Sequence, residues 1–214
     1  MPQSKLAHRL LWAGARLILG ATLVVSLVVA FGPRIADAYF PLLQWTYVHL
    51  DTDNRLISLS IEKKGVISGS EPVYRLIVAP DRMVFVGNRL AVGDPNSRAA
   101  VSMLVAYLWQ AATMALPLVL AWPARSKWEW PLRLVCLVPL LIAVSCVDLP
   151  MALWAQVWQN YVDAFSPGMF SPLLTWANFL QGGGRLVLGV LAALGSVLVV
   201  QTLTRRTAPS LCRQ

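Results

Sequence analysis

Charged residues are scarce: Asp, Glu, Lys and Arg make up 13% of the 214 residues, well below the roughly 25% usual in a soluble domain. Beside 57% hydrophobic residues, that scarcity excludes a disordered chain and an ordinary soluble domain. Histidine is limited to His8 and His49, and cysteine to Cys136, Cys146 and Cys212. No HExxH, paired CxxC, P-loop or GxSxG pattern occurs, so the familiar motifs of zinc hydrolysis, thiol redox chemistry, nucleotide binding and serine catalysis are missing. From Leu149 to Gly184 there is no Lys or Arg in 36 residues.

What the chain has instead is long uncharged runs. A bilayer core about 30 Å thick needs roughly 20 apolar residues in a helix. Leu17 to Pro33 is uncharged, and with the preceding turn it can span, Arg16 snorkelling to the headgroups. Ala99 to Ala124 is uncharged over 26 residues, and Pro131 to Pro150 carries only Arg133 and Asp148, near its ends. Leu186 to Thr204 gives 19 uncharged residues between Arg185 and the pair Arg205 and Arg206. These runs predict a mainly α membrane protein of four transmembrane helices, with a small β-rich extracytoplasmic domain and an interfacial helix. The expected order is an N-terminus and first span over 1–33, the β-rich domain over 34–98, and a second span over 99–123. A loop over 124–130, a third span over 131–150, an outer interfacial helix and loop over 151–183, a fourth span over 184–204 and a tail over 205–214 complete it. The first span has an alternative as a cleaved signal peptide, with Lys5, His8 and Arg9 as its basic region and Ala36-Asp37-Ala38 as a small-x-small site.

Orientation follows from short loops, in which Lys and Arg resist translocation. With both termini cytoplasmic in a bacterial inner membrane, the inner pieces carry nine basic residues (Lys5, Arg9, Arg16, Arg125, Lys127, Arg133, Arg205, Arg206 and Arg213) against Glu129 alone. The outer side has nine basic and nine acidic residues, so the formal charge of +8 is topogenic and gives no reason to expect nucleic acid as a partner. The eight basic residues between Arg34 and Arg98 are permitted, because loops longer than about 60 residues translocate largely regardless of charge.

Outside, Ile35 to Val48 reads as an interfacial segment with Tyr39, Phe40, Trp45 and Tyr47. Ile57, Leu59 and Ile61 alternate with Ser58, Ser60 and Glu62, a strand pattern, and Lys63-Lys64-Gly65 offers a turn. Val73 to Val78 and Met83 to Val86 predict further strands. About 50 residues without cysteine make a marginal core, so this domain is expected to pack against helices, membrane or another protein. Trp154, Trp158, Tyr161 and Phe165 form one helical stripe, read as an aromatic belt in the membrane interface or a platform for a lipid-linked substrate.

Few residues suggest chemistry. The two histidines fall on opposite sides of the predicted membrane, which leaves no two-histidine metal site, and no cofactor is expected. Cys136 and Cys146 are ten residues apart, about 15 Å along a helix and too far for a disulfide. Cys146, with Arg185 and His49 at a similar depth, is the one candidate catalytic group, because a thiolate needs a neighbouring cation or imidazole. Against it, cysteine is a common packing residue and the nearby Asp148 would disfavour a thiolate. Gly182, Gly183 and Gly184 before Arg185 either cradle an anion such as a lipid headgroup at a helix N-terminus or form a flexible loop into the last span. Gly189 with Ala193, and Ala192 with Ser196, are small residues four apart that allow close helix contact. Gln110 and Thr113 are expected to hydrogen-bond between helices.

The plan resembles the small membrane proteins associated with exosortases, of the exosortase H–associated type. The resemblance rests on the N-terminal span, the strand-rich outer segment, and the strings Val105-Ala106-Tyr107-Leu108-Trp109 and Ala115 to Ala121. It also uses the Arg133 to Leu141 stretch followed by an outer aromatic helix; the Gly182 to Arg185 string is not part of it. It implies a noncatalytic accessory protein in protein sorting or export, with an exosortase as its membrane partner and no catalytic residues to carry over. The alternative kept beside it is a cysteine-type transpeptidase, or an enzyme of lipid-linked substrates, acting at the outer face.

Overall fold

The computed structural model describes residues 3–66, 69–87, 89–91, 97–124 and 126–207. Helix accounts for 70% of it, as a mainly α composition predicts. The chain runs α1 (Gln3–Leu50), β1 (Asn54–Val66), β2 (Gly69–Pro80), β3 (Val84–Val86), β4 (Arg89–Ala91) and β5 (Ala99–Leu104). It continues with α2 (Tyr107–Ala121), α3 (Glu129–Phe165), α4 (Pro172–Phe179), a π-type turn at Leu180–Gly184 and α5 (Arg185–Thr207). Three helical stretches, Gly14–Leu50, Glu129–Phe165 and Pro172–Thr204, are long and apolar enough to cross a membrane.

Four boundaries differ from the sequence expectation. Helix α1 continues through Pro33 and Pro41 to Leu50, so the predicted interfacial segment is the upper part of one helix. Each proline removes one backbone donor, and the ladder on either side carries the helix past it. The uncharged run from Ala99 is not one long span: Ala99–Leu104 is strand β5, with alternating burial, and only the 15 residues Tyr107–Ala121 are helical. At 1.5 Å per residue that helix is about 22 Å long, short of a bilayer core of about 30 Å. The lack of charge there comes from a strand followed by a helix, two buried elements that a hydropathy window merges. The interfacial helix predicted at 151–165 is not separate either, since α3 is continuous over 37 residues, about 55 Å. Finally, Lys63-Lys64-Gly65 lies within β1, where Gly65 pairs with Ser70 and Val66 with Gly69.

The chain divides into two compact units. The first comprises 1–32, 109–145 and 185–214, and the regular elements among its described residues are all helices. Its core gathers Ala115 and Val119 of α2, Leu137 of α3, and Ala192 and Ala193 of α5. The small residues work as the sequence suggested. Gly189 meets the backbone of Ala111, and Gly20 of α1 approaches the backbone of Pro117 so closely that an added Cβ would lie 3.0 Å from its Cα. Leu19, Val29 and Leu198 are among the large apolar side chains left on this unit's surface, as lipid contact requires. Thr113 donates to the carbonyl of Gln110 in its own helix (2.8 Å), so its hydroxyl is satisfied within the helix.

The second unit comprises 33–108 and 146–184. Its antiparallel sheet has the order β1-β2-β5, with β3 and β4 as a separate short hairpin. Val84 and Val86 point inward from β3 onto Val162 of α3, with Trp158, Tyr161, Phe165, Met169 and Leu174 packed around them. Tyr74, on the central strand, is buried with its hydroxyl directed to the carbonyl of Ala36 (3.4 Å).

Candidate functional site

The end of α1 is fastened by a polar node. Asp51 follows the last helical residue, its carboxylate buried, and its two oxygens accept from several donors. Tyr47 Oη donates to Oδ2 (2.6 Å), while Asn54 Nδ2 reaches both oxygens (3.0 Å each). The backbone N–H groups of Asp53 and Asn54 donate to Oδ1 (3.3 and 3.2 Å). Tyr161 of α3 then donates to Asn54 Oδ1 (2.7 Å). A carboxylate left in the interior needs this number of donors, and the donors fix the direction in which β1 leaves the helix.

Of the three candidate catalytic residues, two come together. Cys146 and His49 line one cavity of about 230 Å³ with Trp45, Thr46, Leu50, Val147 and Met151. The His49 Nδ1 lies 2.8 Å from the carbonyl of Trp45, and because a carbonyl can only accept, Nδ1 is the donor in this bond. Its ring lies against that of Trp45, with centroids 4.4 Å apart and planes tilted by 38°. The Cys146 thiol, however, is hydrogen-bonded with Tyr39, and no bond joins it to His49 among the described residues. Arg185 belongs to the first unit, where it is 1% exposed and already has partners within the protein. Among the described residues no group of three His, Cys, Asp or Glu side chains is placed to hold a metal ion.

The glycine string has steric reasons of its own. Gly183 adopts φ +110°, which L side chains rarely reach, and it lets α4 turn directly into α5. A Cβ on Gly184 would lie 2.7 Å from the carbonyl oxygen of Phe179. The aromatic stripe is likewise internal to its unit. Trp158, Tyr161 and Phe165 pack on the β3 strand, and Trp158 Nε1 donates to Ser171 Oγ (3.1 Å); Trp154 is half-buried on the same helix. A period of 3.6 marks a face that is covered, and here strands cover most of it.

Sequence reasoning missed a buried ion pair at the start of α3. Arg133, counted as a topogenic charge, is 1% exposed and bonds Glu129 one turn earlier (2.9 Å). Its guanidinium also donates to the carbonyls of Trp122 and Pro123 (3.0 and 3.1 Å), the oxygens that follow the end of α2. The i,i+4 spacing of Glu129 and Arg133 was the available signal.

These features define a class: a mainly helical protein with three helices long and apolar enough to cross a membrane, and a small antiparallel sheet. No family model matches the sequence, and comparison with curated proteins and with solved structures finds no match either.

Proposed function

We propose that this chain is a noncatalytic accessory subunit of a bacterial inner-membrane complex, and that its β-rich unit binds a protein partner on the outer side. In this reading α1, α2, α3 and α5 cross alternately, with both termini cytoplasmic. The short α2 is continued by the non-helical Trp122–Ala124 segment, in which Arg133 satisfies the carbonyls of Trp122 and Pro123. The observation that carries the proposal is the edge of the sheet. β1 is 13 residues long and among the described residues pairs with β2 alone, so its second row of N–H and C=O groups has no strand partner and can accept an added strand. A bulge between Leu56 and Ser58, and the charges of Arg55, Glu62 and Lys63, restrict which strand can add. The resemblance to exosortase-associated proteins makes a sorting transpeptidase the partner to test first.

A photo-crosslinking residue in place of Ser60 on β1, with one in place of the exposed Leu198 as control, tests this in native membranes. A discrete protein adduct through β1, retained on extraction in mild detergent, is the expected result. A folded, monomeric chain with no β1 adduct overturns it. A second reading, a cysteine-type transpeptidase or an enzyme of lipid-linked substrates, is favoured by the cavity that Cys146 shares with His49. Cys146→Ala decides it: a pathway that runs unchanged with this variant removes the cysteine mechanism.

A further inference from the structure

A second cavity of about 490 Å³ lies where α1 hands over to the sheet. Gln44, Tyr47 and Val48 line it from the last two turns of α1, and Arg55 and Arg82 face it from β1 and from the turn after β2. The two arginines, 27 residues apart in sequence, are brought together by the register. Arg55 pairs with Ala79, and the Asp81 N–H donates to the carbonyl of Asp53 (3.0 Å), which folds the β2–β3 turn back onto the start of β1. Both arginines are exposed, and neither makes a hydrogen bond or ion pair among the described residues. Arg75, on the same sheet, is paired with Glu62 at 2.9 Å. Asp51, the carboxylate in the cavity wall, is hydrogen-bonded to Tyr47, Asn54 and two backbone N–H groups and makes no ion pair with either arginine among the described residues.

We propose that Arg55 and Arg82 form a binding site for a phosphate ester. Two guanidinium forks offer about ten N–H donors, more than the roughly four acceptor positions of one carboxylate can use; a phosphate, with more oxygens, suits them better. The cavity is far larger than a bare phosphate, and Val48, Leu56 and the ring of Tyr47 give it an apolar wall for the organic part. Because it is built on the final turns of the Gly14–Leu50 candidate span, the phosphate has two natural sources, the headgroup of an anionic phospholipid and a free phosphate ester. Arg55 belongs to the β1 edge as well, but the lipid and phosphate probes used below read anion binding and not strand addition, so this proposal and the β1 docking proposal fail separately.

The test uses the full chain in detergent. Retention of phosphatidylglycerol over phosphatidylcholine is measured by native mass spectrometry, and the thermal midpoint is measured with added glycerol 1-phosphate. Arg55→Gln with Arg82→Gln is compared with Arg34→Gln plus Arg89→Gln, which removes the same net charge elsewhere. A roughly tenfold loss of phosphatidylglycerol retention in the first pair alone supports the site with a lipid source. Loss of the glycerol 1-phosphate shift in that pair alone supports it with a free one. The Arg55→Lys and Arg82→Lys pair keeps charge and fold while removing the forks, and is expected to lose most of the same effect, so a misfolded Gln pair leaves the test intact. Equal behaviour of the two Gln pairs, or full binding by the Lys pair, overturns the proposal. So does selective binding of a peptide carboxylate with no response to either phosphate probe.

Discussion

Gly189→Ala is the most informative single substitution in the helical unit. A Cβ at Gly189 would enter the carbonyl oxygen of Ala111 and lie 3.1 Å from its carbonyl carbon and Cα, so the obstacle is the α2 backbone, which cannot rotate away. Overpacking of this kind costs about 1–3 kcal/mol, and contact with backbone puts it at the upper end. Alanine regains up to about 1 kcal/mol of helix propensity over glycine, leaving a net loss of about 2 kcal/mol. In a chain of this size that lowers the thermal midpoint by roughly 4–8 °C. Gly195→Ala is the control on the same helix: its Cβ meets only Leu140 Cδ1 at 3.5 Å, an ordinary contact, so propensity prevails and the midpoint rises by a few degrees. Thermal unfolding followed by circular dichroism in one detergent measures both. A Gly189→Ala protein as stable as Gly195→Ala would mean that α2 and α5 do not meet backbone to backbone, and the small-residue account of this unit would fall.

Three further perturbations address other contacts. Arg133→Met leaves Glu129 buried beside two unsatisfied carbonyls and is expected to cost about 3–5 kcal/mol, with Glu129→Gln together with Arg133→Met recovering part of it; a thermal-shift series checks the order. Tyr161→Phe removes the bond to Asn54 and is expected to cost about 1 kcal/mol, and a double-mutant cycle with Asp51→Ala should show coupling, because Asn54 is held from both sides. Burial, assisted by the nearby Asp37, pushes Tyr74 up to about 12, above its usual value near 10. The folded state therefore favours the protonated phenol, and the stability this gives is intact below pH about 10 and lost as the pH rises through about 12. Tyr74→Phe should weaken that alkaline destabilisation, and pH-dependent unfolding with unchanged alkaline sensitivity in the variant would contradict it.

The legibility of this chain divides along a physical line. Strand alternation over Ile57–Glu62 was readable because side chains on the two faces differ in polarity, and Val73–Val78 was readable as a short run rich in β-branched and aromatic residues. Ala99–Leu104 has Ser102 as its only polar side chain, so the same period was hidden and the strand merged with the helix beyond it. The candidate site was half legible. Cys146 and His49 do line one cavity, but the thiol's partner, Tyr39, lies in a segment whose aromatic residues read equally well as a membrane belt. Arg55 and Arg82 were invisible as a pair, since only the strand register brings them together.

The scarcity of charge takes on a different meaning once positions are known. Four of the buried charged groups sit at helix ends: Asp51 after α1, Glu129 and Arg133 at the start of α3, beside the end of α2, and Arg185 at the start of α5. Those are the places where a helix leaves backbone donors and acceptors without partners. Asp51 accepts two N–H groups beyond α1, and Arg133 donates to two carbonyls beyond α2, so each charge satisfies backbone that an apolar side chain would leave bare. Arg133 therefore has a local reason to exist that is independent of topology. Removing it from the count assigned to the cytoplasmic side also removes Glu129, with which it is paired, and the balance of +8 does not change. The eight remaining Lys and Arg residues assigned to that side face no other Asp or Glu in its sequence segments. Because orientation follows the number of Lys and Arg and eight of the nine basic residues assigned to the cytoplasmic side remain, the Arg133→Met and Glu129→Gln pair should destabilise the helical unit without inverting it, which separates the structural use of a charge from its topogenic one.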